Sequence, residues 1–486
     1  MNDAADARSR LTRRPGPGAI IAALGLAGLS ASFMQTLVVP IQSRLPELLG
    51  EPAENTAWVV TVSLLAGAIS TPIAGRIGDL YGKKSVLLAL LGLLVIGSLV
   101  CALAGSLTML LVGRALQGLS QGVVALGIAI MRDVLPPKRM PGGIAFMSAT
   151  LGVGAALGLP ISALVSEAFD WHALFVLAGA LGVLNIVLSL IVVPPSTLRS
   201  EGRVDVPGSL LMAAGLGGVL LAATQGPVWG WTAPGTLGLG VGGLAVLVFW
   251  GWFQLRIDSP IVDLRVAARP AVLLTNLASV GMGFALFSSN ISLPQLLELP
   301  AETGVGLGQS MLVASLVLMP SGLVMMAISP LSATLLRVIG GRIMLVTGSL
   351  IMAVTYLLAT LISGDVWAVV LLSVLIGIGI GLGYAAMPTL IMSAVPPTET
   401  AAANGLNALM RALGTTAASA SVGAMLAALS QPFGDGRVPT EEGFQLSFVA
   451  GAIASIASAV LALCIPRRRT AHGDRTALPE TDGPRD

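Results

Sequence analysis

The stretch "GRIGDLYGKK", Gly75–Lys84, lies between two long apolar segments and is dense in glycine and charge. Glycine is typical of tight turns because it tolerates backbone conformations that other residues avoid. Asp79 and Lys83 place opposite charges around the turn. The apolar segment on each side is long enough to cross a bilayer, which takes about 20 residues. The sequence therefore predicts two transmembrane helices joined on one side by a short charged loop.

Composition extends this interpretation to the whole chain. Of 486 residues, 55% are hydrophobic and only 10% are charged, and the mean hydropathy is +0.89. Soluble domains carry about 25% charged residues, so this chain could not cover a soluble surface of its size. The composition predicts an all-α polytopic membrane protein in contact with the lipid bilayer. The formal net charge of +2 says little about partners, because the placement of the charges matters more than their sum, and no nucleic-acid partner is expected.

Fourteen apolar windows of the required length follow one another, with no long soluble domain between them. They span residues 19–41, 57–75, 85–105, 107–131, 144–165, 173–193, 208–226, 234–255, 270–293, 309–329, 343–363, 366–392, 404–429 and 444–465.

The Lys and Arg residues orient these windows. All but four of the 26 lie in the segments on one side of the predicted membrane. Arg44 and Arg437 lie on the other side, and Arg114 and Arg411 lie inside spans. Cytoplasmic loops are the ones enriched in Lys and Arg, so both termini are predicted to be cytoplasmic. Only three of the 26 are lysines, which is typical of a GC-rich bacterium, and the predicted location is a bacterial cytoplasmic membrane.

Several motifs resemble those of the major facilitator superfamily. The loop after span 2 is similar to the superfamily pattern G-x-x-x-D-x-x-G-[RK]-[RK] at Gly75, Asp79, Gly82, Lys83 and Lys84.

Three further segments support the same resemblance. "RALQG", Arg114–Gly118, is similar to the fourth-helix motif, and "WHALF", Trp171–Phe175, to the usual start of span 6. The span 5 segment Gly152–Ala163 resembles an exporter motif that ends in GPxxGG, with Gly158 at its first glycine but Leu159 where proline is expected. With fourteen spans, the chain looks like the drug:proton antiporter branch that carries two extra central helices.

This resemblance implies a major facilitator fold of two six-helix bundles plus two inserted central helices. The segment Ser332–Arg342 lies between spans 10 and 11, where the second half would repeat the loop Gly75–Lys84. Such repeated halves place a binding site near the midplane. The predicted organisation is a cytoplasmic tail (1–18), an N-terminal bundle (19–193), a linker with the two extra helices at about 208–226 and 234–255 (194–269), a C-terminal bundle (270–465) and a second tail (466–486).

No Asp or Glu falls in the middle of a predicted span. Relatives in this branch commonly carry an aspartate in helix 1, where "FMQTLVV" has Met34. The position of a coupling proton is therefore open, and a cation entering the cavity would find no counter-charge there.

Charged and polar residues inside spans should face the bundle interior, because charge in lipid is costly. For Arg114 two hypotheses are open: a structural tie to span 1 through neutral acceptors, or a direct role with substrate or protons. Asn404 shares a face with two of the span 13 candidates. The predicted substrate cavity comprises Gln35, Arg114, Gln117, Gln121, Asn276, Asn290, Asn407 and Arg411.

Two further groups of residues are predicted to act in transport. Asp79, Lys83 and Asp133, with the turn glycines Gly75 and Gly82, are expected to form a cytoplasmic gate. Glu298, flanked by leucines in "LPQLLELP", is the candidate proton carrier, and the alternative is a solvated loop carboxylate.

The predicted function is export of small amphipathic compounds, as in drug or antibiotic efflux, by alternating access and proton antiport. Open alternatives are a uniporter, or an exporter of an endogenous lipid or natural product without a conventional proton site. A membrane enzyme or receptor is a remote alternative, because no paired carboxylates, metal box or catalytic histidine lie in the spans. The expected partners are a small-molecule substrate and protons, the expected state is a monomer, and neither a cofactor nor a metal is predicted.

Overall fold

A computed structural model describes residues 15–466 of the protein, apart from residues 39, 40, 43, 197 and 435. Residues 1–14 and 467–486, which make up most of the two predicted tails and carry several of the orienting arginines, lie outside the described residues.

Fourteen long helical segments follow one another through the described residues. They are α1 (Pro17–Thr36), α2 (Trp58–Tyr81), α3 (Lys83–Ala102), α4 (Leu107–Val134), α5 (Met140–Ala168), α6 (His172–Val192), α7 (Val206–Trp229), α8 (Pro234–Gln254), α9 (Pro270–Glu298), α10 (Met311–Ala327 and Ser329–Val338), α11 (Gly340–Ile362), α12 (Val366–Ala394), α13 (Thr400–Ala428) and α14 (Glu441–Leu463).

The predicted class, an all-α polytopic membrane protein, is confirmed, and the predicted number of spans is closely matched. Twelve of the described helices are long and apolar enough to cross a membrane, and α10, bent by 46°, brings the number to thirteen. The helix α13 has 29 residues but is not among them, since its Asn, Thr and Ser residues and Arg411 lower its hydropathy. It is instead surrounded by other helices, and packs mainly on α2 and α9.

The turn between α2 and α3 is tighter than the sequence predicts. Helix α2 continues through Gly75 and Asp79 to Tyr81, and α3 begins at Lys83. The chain reverses at Gly82 alone, with φ +107° and ψ 124°. A side chain would strain that conformation, so glycine is required there.

The two ends of the helical bundle can be named by what they carry. The end of α2 and the starts of α3 and α13 gather at the Lys83 end, where Asp79 accepts hydrogen bonds from the first turn of α13. The opposite, hairpin end carries β1 (Ser430–Phe433) and β2 (Gly436–Pro439), an antiparallel pair that pairs Ser430 with Pro439.

Two helix pairs form most of the contact between the first six helices and the last six. In one, α2 and α13 approach so closely that a Cβ at Gly405 would lie 2.7 Å from the Thr71 carbonyl oxygen. In the other, α5 and α10 pack where a Cβ at Gly322 would lie 2.5 Å from the Gly152 carbonyl oxygen. Contacts this short require small residues, as is typical of helix packing in membranes.

The inserted helices α7 and α8 lie beside this core. Met212 and Leu216 of α7 are buried in a cluster with Ala68 of α2 and Leu409 of α13. Much of α8 is exposed, including Val241, as expected for a lipid-facing helix.

Candidate substrate path and gate

The Asp79 carboxylate links the two halves of the molecule at the Lys83 end. It is fully buried and accepts hydrogen bonds from the backbone N–H groups of Ala401 (3.2 Å) and Ala402 (2.8 Å). These are among the first N–H groups of α13, which have no partner within their own helix. A negative charge is also favourable at this position, because a helix N-terminus carries a partial positive charge. Asp79 thus acts as a cap for a helix of the opposite half.

Lys83 lies between two carboxylates. Its Nζ is 2.6 Å from Asp133 Oδ2 and 3.5 Å from Asp79 Oδ1, and it has no exposed surface. The hydroxyl of Ser196 also donates to Asp133 Oδ2. The structure therefore brings together the three charged residues of the predicted gate, which tie the ends of α2, α3 and α4 to one another.

The segment between α6 and α7 adds a second link across the two halves. The Ser200 backbone N–H donates to the carbonyl oxygen of Asp79 at 2.7 Å, and its hydroxyl donates to the carbonyl oxygen of Thr398 at 2.7 Å. Thr398 comes just before α13. Together with Asp79, Ser200 holds the Lys83 end closed in this conformation.

The glycine of the motif allows this closure. A Cβ at Gly75 would lie 2.4 Å from the carbonyl oxygen of Ala401, which is backbone and cannot move aside easily. Glycine at this position therefore sets how close α2 comes to α13.

Arg114, in the third of α4 farthest from the Lys83 end, is bound entirely by neutral oxygens. Its Nε donates to Val59 O (3.2 Å), its Nη1 to Met34 O (3.0 Å) and Gln117 Oε1 (2.8 Å), and its Nη2 to Ser63 Oγ (2.8 Å). Met34 lies in the last turn of α1, where carbonyl groups lack helical partners. Arg114 is 1% exposed, so in this conformation it ties α1, α2 and α4 together and does not line an open cavity. This geometry favours the structural hypothesis.

The glutamines of the same region divide into two sets. Gln117 is buried with Arg114, and its Nε2 donates to Ser98 Oγ at 2.8 Å. Gln35 and Gln121 are partly exposed, and Gln35 Nε2 donates to Gln121 Oε1 at 3.0 Å. Gln35 lies next to the arginine's α1 contact, Met34, but itself pairs with Gln121.

A second polar network lies on α9 and α13. Asn407 is buried and donates to Asn276 Oδ1 (3.0 Å) and Ser279 Oγ (2.7 Å). Its own Oδ1 accepts from Arg411 Nη1 at 2.5 Å. The Arg411 guanidinium carbon also lies 5.1 Å from the centre of the Tyr384 ring on α12. The structure thus joins Asn276, Asn407 and Arg411 in one network.

The remaining candidates lie apart from this network. Asn404 donates back to Thr400 O on its own helix at 2.8 Å. Asn290 is exposed, two turns beyond Gly283 on the face of α9 that meets α13. Glu298 is the last residue of α9 and its side chain is exposed, so the proton role suggested by its apolar neighbours stays a prediction.

Three contributors were not singled out from the sequence. Ser63 and Tyr384 are single polar groups in apolar helices, and no pattern distinguishes them from ordinary packing residues. Ser200 lies in a polar segment whose path over the Lys83 end could not be read from spacing. In the part of the chain that the structure describes, no three His, Cys, Asp or Glu side chains form a metal-binding group.

Comparisons with known proteins agree with this architecture. A family model described as "Major Facilitator Superfamily" matches residues 24–419 and again 273–484. "Multidrug resistance protein Stp" of Mycobacterium tuberculosis (strain CDC 1551 / Oshkosh) is 27% identical over 94% of this chain and 85% of its own length. "Putative multidrug resistance protein MdtD" of Salmonella paratyphi A is 26% identical over 82% of this chain and 83% of its own length. The human transporter MFSD10 shares the fold, with a TM-score of 0.65, 15% identity, and coverage of 92% of this chain and all of that one.

Proposed function

The chain belongs to the major facilitator superfamily, and from that premise we propose that it exports small amphipathic compounds, as in multidrug efflux, by alternating access driven by proton antiport. It is a multi-pass membrane protein and a transporter, not an enzyme. The proposal extends to a bacterial cytoplasmic membrane with both termini in the cytoplasm, since the bias of Lys and Arg towards one side supports that orientation.

The observation that carries the proposal is the closure at the Lys83 end. Asp79 of one half caps α13 of the other half, next to the ion pair of Lys83 with Asp133. A contact made of a few polar bonds between two large helical groups can break without unfolding either group. That property is what alternating access requires, because the two halves must separate at one end while they close at the other.

Export of drug-like compounds is supported by the relatives whose names state multidrug resistance. The interior also fits amphipathic substrates. It offers neutral polar groups at Gln35 and Gln121 beside apolar side chains, so a compound can bury apolar surface and still find hydrogen-bond partners.

A second candidate is transport without a conventional proton site, either uniport or export of an endogenous lipid or natural product. One observation favours it: no Asp or Glu lies in the middle of a span, and Met34 occupies the position where relatives carry aspartate. Proton antiport would then have to use a carboxylate at a helix end, for which Glu298 is our candidate.

Transport in proteoliposomes with an imposed pH gradient tests the proposal. The purified protein would be reconstituted at acidic internal pH and offered cationic, neutral and anionic amphipaths at neutral external pH. We expect at least one compound to accumulate and the accumulation to collapse with a protonophore. Equilibration without accumulation would favour the uniport candidate, and no movement of any compound beyond that in protein-free liposomes would contradict both.

A further inference from the structure

Arg411 differs from Arg114, the other arginine inside a predicted span, in how many of its guanidinium nitrogens are hydrogen-bonded. Arg114 uses all three guanidinium nitrogens in bonds to neighbouring groups. Arg411 uses only Nη1, which donates to Asn407. Among the described residues, Nε and Nη2 have no hydrogen-bond partner, and no Asp or Glu forms an ion pair with this side chain. One edge of the guanidinium therefore makes no hydrogen bond to the described part of the protein.

The surroundings of Arg411 exclude lipid as the medium for this free edge. Its carbonyl oxygen packs against Gly283 of α9, and Tyr384 of α12 lies beside its guanidinium. The opposite side of α13 packs on α2 and α7 through Leu409. Arg411 is partly exposed even so, and we infer that its free edge faces the space between the helices.

The depth of Arg411 in the bundle can be measured along helix α2, which packs on both α13 and α4. Gly405 of α13 is level with Thr71, and Gln121 of α4 is level with Gly67. An α-helix rises about 1.5 Å per residue. Arg411 therefore lies about 9 Å closer to the hairpin end than Gly405, and Gln121 lies about 6 Å closer to that end than Thr71. The two side chains are therefore at almost the same depth, one on each half of the molecule.

We propose that Arg411 is the anchor for the acidic group of the substrate, and that the substrates are amphipathic organic anions with a carboxylate or sulfonate. A guanidinium presents donors in a planar fork that matches such groups, and its bonds to an anion are about twice as strong as neutral ones. Gln35 and Gln121, at the matching depth on the other wall, would bind neutral polar parts of the same molecule. The inference rests on the proposed function, whose substrate class it names.

The absence of a competing carboxylate strengthens the assignment. A mid-membrane acid would neutralise Arg411 and attract cations, but every Asp and Glu in the sequence lies outside the middle of the predicted spans. A quaternary ammonium compound entering between the halves would meet the same sign of charge. Interior electrostatics are weakly screened, so the sign of this field decides which headgroup is favoured.

The test compares four compounds on one hydrophobic scaffold, ending in a carboxylate, a sulfonate, a primary amide or a trimethylammonium group. Binding to the purified full-length protein and uptake into proteoliposomes would both be measured. The sulfonate stays ionised across the pH range, so it separates charge recognition from proton uptake. In the wild-type protein we expect the two anions to bind about tenfold to a hundredfold more tightly than the amide, and the ammonium compound to bind least.

The variants are Arg411→Gln, Arg411→Lys and the matched control Arg337→Gln. Among the described residues, Arg337 hydrogen-bonds only within its own helix, to Ala333 O (3.3 Å) and Thr334 Oγ1 (3.5 Å), and it is exposed. We expect Arg411→Gln to abolish the preference for anions while amide binding stays within about twofold, Arg411→Lys to retain part of the preference, and the control to match wild type.

The comparison of the four compounds in the wild-type protein needs no variant. It can therefore contradict the proposal even if Arg411→Gln fails to fold. If the amide or the ammonium compound is transported at least as well as the anions, the charge assignment is wrong while the proposed export function stands. If the anion preference persists in Arg411→Gln, another group is the anchor. If no compound of any charge is bound or moved, the export function itself fails, and the anchor with it.

Discussion

At the scale of single residues, the charges of Lys83, Arg114 and Arg411 inside the helical bundle are balanced in three different ways. Lys83 is paired with two carboxylates, Arg114 is surrounded by neutral oxygens, and Arg411 keeps a free edge. A buried charge is stable only when paired or fully hydrogen-bonded. The charges of Lys83 and Arg114 are therefore balanced within the protein, whereas that of Arg411 is left for the proposed ligand.

Replacing Arg114 by methionine should destabilise the protein. The substitution leaves buried acceptors at Met34, Ser63 and Gln117 without their donor, at a cost of about 2–4 kcal/mol in the free energy of unfolding. The measurement is the Tm of the purified variant beside Arg337→Met, whose arginine is exposed. We expect a clear fall in Tm only for Arg114→Met, and equal Tm values in the two variants would contradict the structural role.

Replacing Asp79 by asparagine should open the Lys83 end. An asparagine offers one acceptor oxygen to two N–H groups of α13 and loses the charge that favours the helix N-terminus and Lys83. We expect about a tenfold higher alkylation rate at a cysteine placed at Ser200, with Cys101 and Cys464 replaced by serine.

The control for this prediction is Asp263→Asn. Asp263 also caps a helix, Leu264–Ala267, but it makes that contact within the linker and not between the halves. Its variant should leave the alkylation rate unchanged. A rate unaffected by Asp79→Asn would mean that this carboxylate does not hold the closed end together.

At the scale of helices, close approach is set by glycine where α2 meets α13. Replacing Gly75 by leucine puts side-chain atoms where the backbone of Ala401 lies, and a backbone cannot move aside as a side chain can. We expect the helix ends to separate and transport to be strongly reduced. The measurement is the distance between spin labels at the Lys83 ends of α2 and α13.

Gly92→Leu is the matched control. A Cβ at Gly92 of α3 would have nothing within 4 Å, so this variant makes the same chemical change without a clash. It should keep the wild-type label distance and transport. If Gly75→Leu also keeps the wild-type distance, the approach of α2 to α13 is not limited by this glycine.

The sequence predicts the helices well because a membrane span needs a long apolar run, and such runs are visible without any tertiary information. Details set by single backbone positions were harder to predict. The bend in α10 falls at Ile328, two residues before Pro330, which has no N–H to continue the helical hydrogen bonds. Hydropathy alone also does not predict how α13 is packed. This helix is less apolar than the others because it contacts neighbouring helices rather than lipid.

The candidate site was predictable as a set of residues but not as a set of contacts. Buried Arg, Gln and Asn stand out in apolar spans, so Arg114 and Arg411 could be singled out as unusual. Which of the two has all its N–H donors hydrogen-bonded depends on backbone carbonyl oxygens such as Met34 O and Val59 O. These oxygens come close to the arginine only in the folded bundle. The fold, rather than the residue type, therefore separates an arginine whose donors are all bonded from one that keeps donors free.

At the scale of the whole molecule, proton antiport requires a titratable group that is accessible from each side of the membrane in turn. Glu298, at the hairpin end of α9, is the candidate carrier. We expect Glu298→Gln to abolish accumulation driven by a pH gradient while leaving exchange of substrate across the membrane intact. The measurement compares gradient-driven uptake with counterflow at equal pH.

The control for this variant is Glu302→Gln, a neighbouring carboxylate in the short helix Ala301–Thr303. It should keep gradient-driven uptake. If Glu298→Gln transports as well as wild type under the same gradient, the coupling proton is carried elsewhere or the protein is not an antiporter.

The central claim is that the Lys83 end must open during transport, and a reversible cross-link tests it most directly. The Ser200 hydroxyl, in the segment between α6 and α7, donates to the Thr398 carbonyl oxygen at 2.7 Å, so cysteines at both positions lie within reach of a short bis-methanethiosulfonate cross-linker that a reductant removes. The protein carries serine at Cys101 and Cys464, and the control pair, Glu441→Cys with Gln445→Cys, lies within α14. We predict that cross-linking stops substrate transport in proteoliposomes for the first pair only, and that reduction restores it; full transport by a completely cross-linked Ser200→Cys, Thr398→Cys protein would contradict the claim.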